Sequence, residues 1–156
     1  MEKLSFLGIG PRIARIALPN LAITIVLALS FPEVLGFSPG ARMFFMVAGA
    51  LWLATGLALY IATIRQMLPG IRENRLVTTG TYRLCRNPLY TVFILMIIPG
   101  VSLLMNSWIV ATASLVGYFA FRRYIHVEEE QLERIFGDEF RAYRERTPRF
   151  CPWGHR

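Results

Sequence analysis

Glu128 is the side chain whose placement most invites chemistry. Phe121, Ile125, Leu132, Ile135 and Phe136 recur at helical spacing and define one apolar face. Glu128 falls on that stripe, whereas Glu129, Glu130 and Glu133 point elsewhere and read as solvated acids. A carboxylate turned toward a bundle beside an apolar segment needs a partner. It therefore reads either as a binding group or as half of a structural pair with an interfacial arginine such as Arg86. Tyr124 lies one helical turn before it on the same side, with Arg122 and Arg123 as neighbours.

A second constellation runs from Val77 to Tyr90 and holds Gly80, Tyr82, Arg83, Arg86, Asn87, Pro88 and Leu89. Asn-Pro ahead of an apolar run is a helix start, with Asn87 as cap and Pro88 in the first turn. That accounts for those two residues but not for the Thr/Gly turn, Tyr82 and two arginines beside them. No His/Cys/carboxylate cluster suggests a metal, so none is expected. His126 and His155 read as surface residues. Cys85 and Cys151 lie one per segment without a CxxC, which supports neither a disulfide framework nor a zinc site. No G-x-G-x-x-G follows a strand, so a Rossmann site is not expected.

The elements that must position these residues are set by four apolar stretches, at about 13–31, 43–64, 89–105 and 108–125. Each approaches the 17–25 residues with which a helix crosses a hydrocarbon core. Hydrophobic residues make up 54% of the chain and charged residues 17%, which fits one compact membrane bundle over residues 1–156. Ala28-Leu29-Ser30 offers a small-x-small cleavage site, but the apolar run before it outlasts a signal peptide's core, so an anchor is expected. The expected class is an all-α integral membrane protein with four transmembrane helices and a cytoplasmic C-terminal helical extension.

Orientation follows from the basic residues. Lys3, Arg12 and Arg15 precede the first stretch, Arg65, Arg72, Arg75, Arg83 and Arg86 separate the second from the third, and Arg122, Arg123 and further arginines follow the fourth. The opposite loops carry only Arg42. The positive-inside rule then puts both termini and the central loop in the cytoplasm, and the expected location is a prokaryotic inner membrane. The net charge of +7 is gathered at helix ends and not along a groove-binding face, which argues against nucleic acid.

The information-rich segments are then 66–88 and 122–152, both cytoplasmic. Within the tail, Asp138 to Arg146 reads as a short helix ending before Pro148, with Phe140 and Tyr143 as its apolar edge. It reads as a lid or as a surface anchor whose arginines meet anionic headgroups. Residues 32–42 read as a plain connector, and Met105-Asn106-Ser107 as a tight turn. Pro99-Gly100 predicts a kink, serving a cavity or ordinary bundle packing.

The block Gly80-x-Tyr82-x3-Arg86-Asn87-Pro88-x-Tyr90 resembles the G-x-Y-x3-R-H-P-x-Y pattern of the isoprenylcysteine carboxyl methyltransferase and phospholipid methyltransferase superfamily. The tail Glu128-Glu129-x2-Leu132-x3-Phe136-Gly137-Asp138-Glu139-Phe140-x2-Tyr143-x4-Thr147-Pro148 resembles that superfamily's ending. The resemblance implies methyl transfer from S-adenosylmethionine, leaving S-adenosylhomocysteine. It implies that Asn87, Pro88, Leu89 and Tyr90 line the cofactor with Tyr82 against it, that Leu76 and Val77 reach the adenosine, and that Glu128 accepts from its α-amino group. Partners implied are membrane lipid and a lipophilic or small-molecule acceptor.

Two departures matter. The family's His is Asn87 here, which is not a general base. Its acceptor-binding Arg, four residues before the Glu, is Tyr124, beside Arg122 and Arg123. Tyr124 and Arg123 are thus the expected acceptor-side residues, and an amine, thiol or phenol is favoured over a carboxylate acceptor. Other readings are an NADPH-dependent sterol-type membrane reductase, and a non-catalytic membrane protein that kept the fold.

Overall fold

The computed structural model describes residues 8–151, so Lys3, Pro152 and His155 lie outside the described residues. Among the described residues the regular elements are helices, without a β-strand. The helices are α1 (Gly10–Ser30), α2 (Pro32–Leu35), α3 (Arg42–Glu73), α4 (Pro88–Leu104), α5 (Trp108–Phe136) and α6 (Asp138–Arg146). In space, α1 packs along α5, α5 along α4, and α4 along α3. The first and third helices flank a cleft without packing along one another.

By length and composition, α1 and α3 can cross a membrane, and α4 is a shorter apolar helix. Leu18, Ile23, Val26 and Leu29 on α1, Met43, Phe44 and Leu51 on α3, and Leu115 and Phe119 on α5 are all exposed. So many large apolar side chains facing outward have no aqueous rationale, and they fit a hydrocarbon solvent.

Small residues set the packing of α3. Gly49, Gly56, Thr63 and Gly70 recur every seventh residue and are its buried positions. A repeat of seven keeps one seam facing a neighbour, and small residues let backbones approach. Gly49 meets the Leu104 amide, and Gly56 meets Met96, so α3 and α4 touch backbone to backbone. On the far side of the same contact, Gly100 faces the backbone of Leu53.

The kink expected at Pro99-Gly100 takes the form of a π-helical turn, Phe93–Ile97, immediately before the proline. Proline has no N–H to give four residues back, so the Leu95 carbonyl is released from the ladder. The Trp52 indole N–H donates to it at 3.2 Å, and the Ser114 hydroxyl donates to the Ile94 carbonyl at 2.8 Å. Neighbouring helices therefore satisfy the disturbed backbone, which is the bundle-packing reading of the motif.

Three elements differ from expectation. Residues 66–73 continue α3 instead of beginning a loop, because the turn after them docks back onto the helix. The Gln66 carboxamide oxygen accepts from the Thr81 N–H (2.8 Å) and hydroxyl (2.9 Å), and the Thr63 hydroxyl donates to Thr81 Oγ1 at 3.1 Å. Residues 32–42 are more than a connector, since they contain α2 and pair with the α4–α5 turn. The Phe37 N–H donates to the Asn106 carbonyl (3.2 Å) and the Ser107 hydroxyl to the Leu35 carbonyl (2.9 Å). Asn87 precedes Pro88 as expected, but its side chain does not cap α4. It donates instead to the Arg149 carbonyl at 2.9 Å. The expected continuation of the fourth apolar stretch is present as the unbroken α5, and the expected tail helix is α6.

A methyl group at Gly100 would lie 2.9 Å from Leu53 Cβ and 3.0 Å from its Cα, so the helices would have to part. Gly100→Ala should destabilise the fold by about 1–3 kcal/mol, read from unfolding in detergent. Gly40→Ala meets nothing within 4 Å and should stay within about 0.5 kcal/mol of the parent.

Candidate functional site

Two adjoining cavities lie where the segments 66–88 and 122–151 meet the helix ends. One is a cleft of about 300 Å³ between α1 and α3, walled by Ile13, Ala17, Leu18, Tyr60, Ile64 and Phe93. The other, about 90 Å³, is walled by Leu76, Val77, Leu132, Phe136, Phe140 and Tyr143. Met67, Tyr82, Arg86, Asn87 and Glu128 border both. These five form a polar seam between a mostly apolar cleft and a smaller pocket.

Local chain geometry explains how the seam is built. Gly80 has φ +63°, a left-handed conformation that suits glycine, and a side chain there would collide with Gln66. The turn so formed presents Tyr82, whose carbonyl accepts from the Tyr143 hydroxyl at 2.6 Å. Val77 packs against Gly70, which brings Leu76 against Phe140, Tyr143, Leu132 and Phe136. Helix α6 thus closes the smaller pocket as a lid with Phe140 fully buried. Its Arg141 and Arg144 turn to Glu133 at 2.9 and 2.8 Å, so Glu133 ties α6 to α5 instead of standing alone in solvent.

Glu128 is inward-facing, as its stripe predicts, but it does not pair with Arg86. It accepts from the Ile9 N–H (3.3 Å) and the Tyr90 hydroxyl (3.2 Å), and no salt bridge to it occurs among the described residues. Burial pushes its pKa above the ordinary carboxylate range, and the hydrogen bond from Ile9 offsets part of that. Burial also raises the Tyr82 phenol, with Glu128 adding to the shift, so Tyr82 stays a protonated donor.

Glu129 corrects the reading of it as a solvated acid. It is buried, and it holds Arg86 Nη2 at 3.1 Å and the Arg149 guanidinium at 3.1 and 2.6 Å. The reason lies in residues 147–151, which fold back over α5 and bury a second face. The Arg86 N–H donates to the Pro148 carbonyl, the Cys151 thiol to the Leu84 carbonyl, and Phe150 enters the core beside Tyr118 and Phe121. This strap also brings Cys151 beside the Cys85 segment, although the two thiols remain free.

Of the residues expected from the sequence, Tyr82, Asn87 and Glu128 meet at the seam. Pro88, Leu89 and Tyr90 line the cleft, and Leu76 and Val77 the smaller pocket. Tyr124 and Arg123 line neither cavity. Arg123 is exposed, with its guanidinium 6.0 Å from the Tyr124 ring centroid, and Tyr124 packs against the cluster containing Ile9, Ile13 and Ile125. The start of α1 packs against this face of α5. Sequence reasoning missed Tyr60, Met67 and Phe93, whose only signal was membership of apolar helices. It also missed Arg86 as a wall residue, although the motif contains it. Its Nε and Nη1 are buried with no partner among the described residues.

The seam suits a small molecule with a cationic end. Glu128 is desolvated and met only by neutral donors, so an ammonium would supply the charge it lacks. The smaller pocket beside it offers aromatic and aliphatic walls to a flat, apolar ring.

The phospholipid methyltransferase family profile matches residues 44–139, from α3 to the start of α6. The chain belongs to that family. The family is part of the isoprenylcysteine carboxyl methyltransferase-like membrane superfamily. Over 104 residues the chain is 35% identical to the cobalt-zinc-cadmium resistance protein CzcN of Cupriavidus metallidurans. It is 34% identical over 104 residues to the nickel-cobalt-cadmium resistance protein NccN of Alcaligenes xylosoxydans xylosoxydans. Each match spans 67% of this chain and 43% of the relative, so the chain covers less than half the length of either relative.

Glu129→Gln removes the carboxylate between two guanidinium groups and leaves Arg86 buried without its anion. Breaking a buried pair costs about 3–5 kcal/mol, so this variant should melt well below the parent. Glu130→Gln, at an exposed site, should melt with the parent.

Proposed function

We propose that this protein transfers a methyl group from S-adenosylmethionine to a lipophilic or small acceptor at the cytoplasmic face of a membrane. The observation that carries this is Glu128: a desolvated carboxylate without a cationic partner among the described residues, at the seam of a small pocket and an apolar cleft. Family membership supports the reaction class. The arginine asymmetry and the exposed apolar faces support four crossings by α1, α3, α4 and the first part of α5, with both termini inside.

In this reading Leu76, Val77, Leu132 and Phe140 pack against the adenosine, and Glu128 accepts from the amino group. When bound, the cofactor supplies a methyl already activated on a sulfonium, so the protein's task is placement. The cleft walls of α1 and α3 hold the acceptor's apolar part, and Tyr60, Tyr90 and Phe93 face its reacting end. Tyr82 remains protonated and Asn87 does not titrate, so neither removes a proton; the acceptor's proton leaves to water. An amine, thiol or phenol suits this set better than a carboxylate, which would meet Glu128. The relatives are named for metal resistance, yet this cleft is mostly apolar, so we place a methyl acceptor in it and not a metal ion.

Glu128→Gln should weaken S-adenosylhomocysteine binding by about 2–5 kcal/mol in calorimetry, with Glu130→Gln unchanged. The pH dependence has a definite sign. An amino group prefers the ionised carboxylate, and Glu128 titrates above the usual range, so affinity should fall as pH drops through that raised value. A Glu128→Gln protein that binds like the parent, or a parent protein whose affinity does not fall at lower pH, would remove the central support.

Topology is tested separately. A cysteine at Asn106 should react with a membrane-impermeant maleimide from outside, and one at Glu145 only after permeabilisation. The reverse pattern would overturn the orientation.

A further inference from the structure

Arg86 presents donors that the fold does not use. Its side chain is 8% exposed, and Nη2 meets Glu129 Oε1 at 3.1 Å. Nε and Nη1 are buried and have no hydrogen-bond partner among the described residues. Leaving charged donors unpaired in a buried site is costly, and native folds rarely keep them without a reason. The Arg86 N–H is bonded to the Pro148 carbonyl at 2.9 Å, so the residue is anchored at its backbone as well as at one end of its guanidinium.

Charge accounting sharpens the point. Two guanidinium groups, from Arg86 and Arg149, share the single carboxylate of Glu129. Arg149 is 44% exposed and can be balanced by water, while Arg86 cannot. The seam therefore carries a buried guanidinium only partly met at Arg86 and a half-buried carboxylate at Glu128 that is met by neutral donors and by no cation among the described residues. Both border the same two cavities, yet they form no ion pair with each other. Two opposite charges held apart in one enclosure are complementary to a molecule carrying both, and an α-amino acid is the smallest such group.

We propose that Arg86 is the receptor for the carboxylate of the cofactor's amino-acid end, so that Arg86 and Glu128 clamp a zwitterion between them. This rests on the methyltransferase reading and adds the anionic half of the recognition. A charge-assisted hydrogen bond from a guanidinium to a carboxylate is short and strong, and a buried arginine keeps its charge at any working pH. The clamp also selects: 5′-methylthioadenosine, which lacks the amino-acid end, loses both contacts. A headgroup phosphate has the same oxyanion chemistry and could reach Arg86 from the cleft, so the test separates the two sources.

The experiment is calorimetry on the full chain in lipid nanodiscs with two ligands. S-adenosylhomocysteine carries the carboxylate, and S-adenosyl-3-thiopropylamine lacks only that group. The parent protein should bind the first at least about 10-fold more tightly than the second, the effect of losing a charged hydrogen bond. Arg86→Gln should bind both equally, and Arg86→Lys should recover part of the preference. A parent protein that binds the two ligands alike, or an Arg86→Gln protein that still discriminates, overturns the assignment. If Arg86→Gln keeps the preference but loses binding of short-chain phosphatidylethanolamine, the oxyanion is a headgroup phosphate and the carboxylate assignment falls. Should Arg86→Gln fail to fold, the two-ligand comparison on the parent decides alone. Absence of any S-adenosylhomocysteine binding by the parent would remove the methyltransferase reading as well, whereas binding without discrimination removes only this one.

Discussion

The contact of Glu129 with Arg86 and Arg149 is the constraint on which the end of the bundle that holds the two cavities depends. It joins three pieces of chain that are distant in sequence: the segment before α4, the end of α5, and the strap 147–151. Around it, the Arg86 N–H holds the Pro148 carbonyl and the Asn87 side chain holds the Arg149 carbonyl. Phe150 then seals the apolar side by packing against Tyr118 and Phe121. A buried ion pair is not by itself a strong source of stability, because desolvation offsets much of the attraction. Its value here is specificity of register. With Arg149 and the Nη2 of Arg86 both held on Glu129, the walls of the two cavities are fixed in register with α5.

Adjacent glutamates therefore do different work. Helical geometry rotates Glu128 and Glu129 by about 100° from each other, so one helix can serve two compartments. Glu129 faces the strap and is neutralised by arginine, while Glu128 faces the cavities and is met by neutral donors. The same protein environment gives one acid a structural partner and leaves the next without a cation. Exchange of the two roles would require a quarter-turn of α5, which the continuous helix from Trp108 to Phe136 does not permit without unpacking α1 and α4.

Much of this was legible in local pattern, and what was not arises from tertiary closure. The stripe Phe121–Ile125–Leu132–Phe136 selected Glu128 and the continuation of α5, because a 3.6-residue period is a local property. The motif at Gly80–Tyr90 located the seam, although it did not distinguish Asn87 as a cap from Asn87 as a clamp on the strap. Glu129 was misread because no periodicity announces that a tail eighteen residues later will return to cover it. Residues 66–73 were read as loop on polarity, yet Gln66 and Gly70 are helical because the following turn needs them as docking points. Tyr124 stands one helical turn before Glu128, an offset that does not carry its packing against the cluster of Ile9 and Ile13. Each miss is a long-range contact overriding a sound local rule.

The cleft itself follows from how the helices are allowed to approach. Small residues every seventh position draw α3 tightly onto α4, and the π-helical turn before Pro99 sets the course of α4 beside them. Helix α1 has no such partner on α3 and packs on α5 instead, so the two remain apart. The gap is lined on one side by Ile13, Ala14, Ala17 and Leu18 and on the other by Tyr60 and Ile64, and it ends at the seam. Outer faces of both helices are apolar and exposed, so in a bilayer the gap would lie between lipid and the charged pair of Arg86 and Glu128. Under the proposed reaction an apolar acceptor needs no aqueous passage: it would move within hydrocarbon until its reactive head meets polar groups, while the water-soluble cofactor would approach from the side of α6. That separation of routes is a consequence of packing, and it suits a reaction whose two substrates prefer different solvents.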